Sequence, residues 1–211
     1  MLGTHDLPLF VLSGLLLNLT PGPDTLYIVG RSTAQGWRAG AVAALGIGAG
    51  IFVHITAAAV GLSAILSASA AAFTVIKIAG AIYLVYVGIS LLRSSESTSR
   101  LPSATPPAAP LRTVFLQGFL TNALNPKVAL FFIAFLPQFV DQAAPHKPMA
   151  LLFLGMVFNF NGTLWNLFVA WSSARLGKDL MRSPAFSRWF NRCVGGLFVW
   201  LGIRLAFSRA D

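Results

Sequence analysis

Six stretches of this chain run for about 20 mostly apolar residues each, the length a helix needs to cross a bilayer. The first extends from about Leu7 to Val29 and is interrupted at Thr20–Pro23. The second covers Ala39 to Leu66 and the third Ala71 to Leu92. The fourth covers Thr113 to Val140, interrupted at Asn125-Pro126; the fifth is Pro148 to Ser172 and the last Phe190 to Phe207. No charged residue falls between Arg38 and Lys77, which leaves room for one long helix, a turn near Ser67–Ala70 and the start of the next. Polar positions gather instead in Arg93 to Pro110, a Ser-, Pro- and Ala-rich stretch without apolar period. Such a composition predicts an extended connection.

This linker, residues 93–111, divides a single membrane domain of residues 1–211 into halves of three helices each, 1–92 and 112–211. The halves echo one another. Leu12, Gly14, Leu16 and Asn18 have the spacing of Leu116, Gly118, Leu120 and Asn122, and with one residue of slippage Pro23-Asp24 falls on Pro126-Lys127. With an odd number of spans per half, the second half must enter the membrane from the opposite side. The expected fold is therefore an all-α membrane protein: six transmembrane helices as two inverted three-helix repeats, with helices 1 and 4 broken at proline.

Composition agrees with a membrane setting. Of 211 residues, 56% are hydrophobic and 10% charged, with a mean hydropathy of +0.74. A soluble domain carries about 25% charged residues. The net charge of +9 does not point to nucleic acid, because the basic residues lie between apolar segments and form no patch. They set a topology instead. Ten Lys and Arg, among them Arg31, Arg38, Arg93, Arg112 and Arg175, fall on one side, against four on the other. The richer side is cytoplasmic by the positive-inside rule, so both termini face outward. His5 and Asp6 replace the basic start of a signal peptide, and the first segment reads as retained. A single cysteine, Cys193, excludes an internal disulfide and thiol-pair redox chemistry.

The two interruptions carry the chemistry. Backbone leaves the helix at membrane depth only where protein or a cavity surrounds it, and paired breaks commonly build a carrier's substrate site. Asp24 and Lys127 are the charges deepest in the apolar segments, each costing about 2.5–3.5 kcal/mol on insertion scales. Asp24 follows Pro23 into the first turn of a half-helix, where the positive helix end favours a carboxylate. Lys127 sits at the wrong end of its half-helix and needs an anion; Asp24 is the candidate, as a structural bridge or as a pair that also serves transport. Pro21 and Pro23 lack N–H groups and Gly22 adds freedom. Carbonyls near Asn18 to Thr20 then face one way, and the amides of Thr25 and Leu26 the other, as a zwitterion such as an amino acid requires. Its ammonium would lie by Asp24 and the carbonyls, its carboxylate by helix amides and Lys127.

Other polar residues leave two readings each. His54 either carries a proton or donates one bond to a neighbouring carbonyl; Gly46 and Gly50 on its stripe mark close helix packing. Asn159, Thr163 and Asn166 share a face of the fifth helix, with Asn161 and Trp165 nearby, and either join helices or line a pathway. Tyr83 and Tyr86 read as packing or interfacial aromatics, and Asp141, His146 and Lys147 as solvated loop residues.

The run Asn18-Leu-Thr-Pro-Gly-Pro-Asp-Thr25, with Asn122-Ala-Leu-Asn-Pro-Lys127, Phe131-Phe132 and Phe135-Leu-Pro-Gln-Phe139, resembles the LysE/RhtB family of amino acid exporters over nearly the whole chain. The resemblance implies export of amino acids or their derivatives across a bacterial inner membrane, by exchange with protons. It marks Pro21, Gly22, Pro23 and Asp24 in one half and Asn125, Pro126 and Lys127 in the other. The Phe-Pro segment is closer to the homoserine/threonine/leucine branch than to the lysine branch. Substrate contacts are thus expected from Asn18, Thr20, Thr25 and Asn122 together with those motif residues, and proton coupling from Asp24 and His54.

Two alternatives stand beside the carrier. A channel or metal-ion exporter on the same architecture would need several carboxylates or thiolates for its ion, and one buried acid with Cys193 supplies neither. An enzyme would need a nucleophile–base pair, a cofactor or a metal-ligand spacing, and the chain shows none. The expected partners are a small amino acid and the lipid bilayer; six helices make a small carrier, which leaves room for a homodimer.

Overall fold

The structure, a computed structural model, describes residues 3–20, 22–62, 64, 70–93, 108–141 and 144–176, with isolated positions between 192 and 203. Among the described residues every regular element is helical: α1 Leu7–Leu19, α2 Pro23–Gln35, α3 Trp37–Ala57, α4 Ala70–Arg93, α5 Leu111–Ala123, α6 Pro126–Phe135 and α7 Lys147–Leu176. A π turn, Ala58–Leu62, extends α3, and a 3-10 turn, Leu136–Phe139, extends α6. Two helices, Trp37–Leu62 and Lys147–Arg175, are long and apolar enough to cross a membrane alone. Leu111–Ala123 and Pro126–Phe139 make a third such span if counted together, bent by 47° at the break. The middle linker and most of the sixth expected segment lie outside the described residues.

Both breaks have local causes. Thr20 ends α1 in an extended conformation, as a residue before proline prefers. Its side chain donates to the carbonyl of Leu16 at 2.8 Å. Pro23 then opens α2 at a position where its missing N–H is not needed, behind an extended Gly22. In the second half Pro126 opens α6, and the side chain of Asn125 caps it by accepting from the Lys127 amide at 3.0 Å. At 13 residues, α1 is about 20 Å long against a hydrocarbon core of about 30 Å. Alone it is too short to span such a core.

Glycines set the tightest crossing. A Cβ on Gly50 of α3 would stand 2.6 Å from the carbonyl of Phe119, and one on Gly118 of α5 would stand 2.6 Å from that of Ala43. Gly46 likewise meets the Phe115 carbonyl. Backbone contact of this kind admits no side chain. Two apolar clusters fill the interior. Phe10, Ile51, Phe131, Phe135 and Phe158 belong to one; Ile28, Ala43, Ile47, Val114 and Ala170 belong to the other. Outside, Phe160, Leu164, Phe168 and Trp171 make an exposed stripe along α7, an apolar surface suited to lipid rather than water.

The two faces of the bundle differ. Residues 3–6 pair with 139–141: Thr4 and Val140 form an antiparallel bridge, and the Asp141 amide donates to the Gly3 carbonyl at 2.8 Å. The chain's start and the α6–α7 connection therefore share one face. At the other, the end of α2 meets the start of α5. Arg31, expected in a loop, is instead buried within α2, where its Nη2 donates to Gln117 Oε1 at 2.7 Å. Tyr27 donates to the same oxygen at 3.1 Å.

Candidate functional site

A cavity of about 30 Å³ lies at the seam of the two apolar clusters, where the α1–α2 and α5–α6 breaks meet. Asn18, Thr20, Gly22, Asp24 and Thr25 line it from the first half; Asn122, Asn125 and Lys127 line it from the second. Asn166 of α7 joins them. Pro23 and Pro126 are exposed and shape the breaks without lining the cavity. Pro21 lies outside the described residues.

Asp24 and Lys127 do not pair as expected. The carboxylate takes its hydrogen bond from an amide: Asn122 Nδ2 donates to Asp24 Oδ2 at 2.8 Å. The other oxygen, Oδ1, is buried with no hydrogen bond. Lys127 Nζ donates instead to two carbonyls at the end of α1, Leu17 at 3.1 Å and Thr20 at 2.9 Å. The physical reason is the negative end of the half-helix. Carbonyls released by the break are acceptors without intrahelical donors, and an ammonium satisfies them. Leu17 escaped the sequence reading because its backbone, not its apolar side chain, makes the contact.

At the opposite side of the same break, α2 begins without a side-chain cap, and the Thr25 residue lines the cavity. Its helix end offers positive dipole to an anion. The amide of Leu26, expected to share this role, is already bonded to the Gly22 carbonyl at 3.0 Å.

His54 reaches the second break. Its Nε2 lies 2.9 Å from the Asn122 carbonyl; an oxygen of that kind only accepts, so the ring donates. Asn122 thus connects His54 through its backbone and Asp24 through its side chain. The polar stripe of α7 divides. Asn159 donates to the Gly48 carbonyl at 3.2 Å and accepts from Thr163, joining α7 to α3, whereas Asn166 faces the cavity.

Residues 15–209 match the LysE type translocator profile. The chain belongs to the LysE type translocator family. A leucine efflux protein of Salmonella typhimurium is 27% identical to this LysE translocator, over 93% of the chain and 92% of the relative. An uncharacterized membrane protein of Pseudomonas aeruginosa is 32% identical over 97% and 96%, and one of Bacillus subtilis 28% over 97% and 100%. No solved structure matches.

The walls of the translocator's cavity are apolar in a way that spacing along the chain does not reveal. Leu17, Ile47, Ile51, Val128 and Phe158 contribute to it, from four helices whose packing alone brings these side chains together.

Proposed function

We propose that this LysE translocator is a secondary active exporter of amino acids with short aliphatic or hydroxylated side chains, such as leucine, threonine or homoserine. It would work across a bacterial inner membrane by exchange with protons. One observation carries the reading. A carboxylate with an unpaired oxygen, an uncapped helix N-terminus and an apolar wall face one cavity at the meeting of two helix breaks. An ammonium is drawn to Asp24 and the carbonyls at the end of α1, a carboxylate to the amide end of α2 and Lys127, and an aliphatic side chain to Ile47, Ile51 and Val128. The relative named as a leucine efflux protein supports the same class.

A proton and an ammonium competing for Asp24 give antiport in the simplest way. Protonation removes the attraction that held the substrate, and the emptied carrier returns with the proton. The cavity's 30 Å³ suits one or two water molecules, so the walls must part to admit cargo.

The inverted repeat is part of this proposal, and reciprocal contacts support it. Gly50 of α3 abuts Asn122 at the end of α5, while Gly162 of α7 abuts Asn18 at the end of α1. Four residues after each glycine come His54 and Asn166, both buried. Two related breaks rocking about such a centre would expose it to each face in turn.

The test is a growth challenge. Cells overexpressing the translocator are exposed to toxic levels of each amino acid in turn. Resistance to one or two small aliphatic or hydroxylated amino acids is expected; unchanged sensitivity to every amino acid contradicts the proposal.

A further inference from the structure

Resting on the amino acid reading, we infer that the carbonyls of Leu17 and Thr20 are the substrate's ammonium subsite, and that Lys127 is its tethered resident, displaced when cargo binds. The first observation is the occupant itself. Lys127 places a primary ammonium, the group an amino acid carries, on two carbonyls at the negative end of α1. Those carbonyls line the same cavity as Asp24, so the acceptors expected for a substrate amine are already taken by a side chain of the second half.

The second observation is what holds the occupant. The structure gives Lys127 Nζ two acceptors, Leu17 and Thr20, while an ammonium has three protons to donate. Asp24 makes no ion pair with it: the carboxylate is bonded to Asn122 and the ammonium to the two carbonyls. A lysine recruited to neutralise Asp24 would sit on the carboxylate. This one is hydrogen-bonded to helix-end carbonyls, with Asp24 close enough to attract it but not bonded to it, and a second ammonium of equal charge can take its place. Against Nζ stands Gly22, where an added Cβ would be 3.8 Å away, so the break leaves space beside the cage.

The exchange conserves charge. An entering zwitterion gives its ammonium to the Leu17 and Thr20 carbonyls, within the field of Asp24. Released Lys127 then meets the substrate's own carboxylate on its flexible stem. One swing fills both subsites, and an amine lacking a carboxylate would free the lysine without giving it an anion. Cargo with both groups is favoured by that difference. When cargo leaves, the lysine returns and closes the cage, which keeps free ammonium and alkali cations out of an unloaded carrier.

The test uses purified full-length protein in lipid nanodiscs with radiolabelled methylammonium as the probe. Wild type should show weak binding or none, because the cage is filled. Lys127→Ala should bind it saturably and roughly tenfold or more tightly, as expected when a competing state is removed. Lys127→Ala combined with Gly22→Val should lose that binding again, since the extended backbone at residue 22 accepts a side chain and the side chain fills the space. Where Lys127→Ala is not monodisperse, Lys127→Met keeps the apolar stem and takes its place. A wild-type measurement stands beside these: an amino acid the protein exchanges in counterflow should increase reductive methylation of Lys127, read by mass spectrometry. Folded Lys127→Ala or Lys127→Met protein that ignores methylammonium, or unchanged labelling of wild-type Lys127 under counterflow, overturns the inference. Absence of counterflow with any amino acid instead overturns the transport proposal on which it rests.

Discussion

The carbonyl of Asn122 accepts two hydrogen bonds, from the His54 ring and from the Asn125 amide, and its side chain reaches Asp24. We propose that His54 holds the end of α5 so that Asn122 presents its amide to the carboxylate. His54→Gln, which retains an N–H donor, is expected to transport within about threefold of wild type and to keep its dependence on the proton gradient. His54→Leu leaves no donor and should lower stability by about 1 kcal/mol, read as a fall in Tm. A flattened pH profile in His54→Gln, measured with labelled substrate in vesicles, would move the proton to the histidine. At this scale charges and amides inside apolar runs are conspicuous in the sequence, and Asp24, Asn122 and Lys127 do line one cavity. The sequence did not show their partners. Opposite charges suggested a pair, whereas backbone carbonyls freed by the break compete for the lysine, and backbone acceptors have no signature of their own.

Helices begin where prolines allow and end where the next proline forbids them, so α2 and α6 start at Pro23 and Pro126 as the chain reads. The long second segment also appears, although its last turn widens into a π turn at Ala58–Leu62 that no apolar period foretells. Glycine spacing announced close packing correctly, and the structure adds the partner: α3 lies on α5, backbone against backbone. Gly50→Ala puts a methyl 2.6 Å from the Phe119 carbonyl, and overpacking of this kind costs about 1–3 kcal/mol. A lower Tm in detergent and loss of transport are expected. Gly61, with open space around its Cβ position, is the control, and Gly61→Ala should leave both unchanged. Equal tolerance of the two substitutions would mean that the α3–α5 crossing is looser than described.

Sidedness belongs to the whole molecule. The Lys and Arg bias placed the chain's start and the fourth-to-fifth connection on the same side, and residues 3–6 do lie against 139–141. We propose that this face is outward. In a Cys193→Ala background, Thr4→Cys should react with an impermeant maleimide added to spheroplasts, and Arg38→Cys only after lysis. The opposite pattern would invert the topology. Matching letters at the two breaks suggest the repeat, and the structure bears out the helical breaks at Pro23 and Pro126. The sixth segment and the linker lie outside the described residues, so the plan's symmetry rests on the reciprocal glycine contacts of α3 and α7.

If the site between the two breaks grips a dipolar cargo through Asp24, Asp24→Asn should abolish transport. The substitution keeps size and hydrogen bonding while removing the charge, so the variant should insert in the membrane at wild-type level. Inverted vesicles carrying each protein are given a pH gradient and a radiolabelled amino acid that the wild type moves. Saturable, gradient-driven transport is expected in wild type and background levels in the variant. Undiminished transport by Asp24→Asn would contradict that role of Asp24.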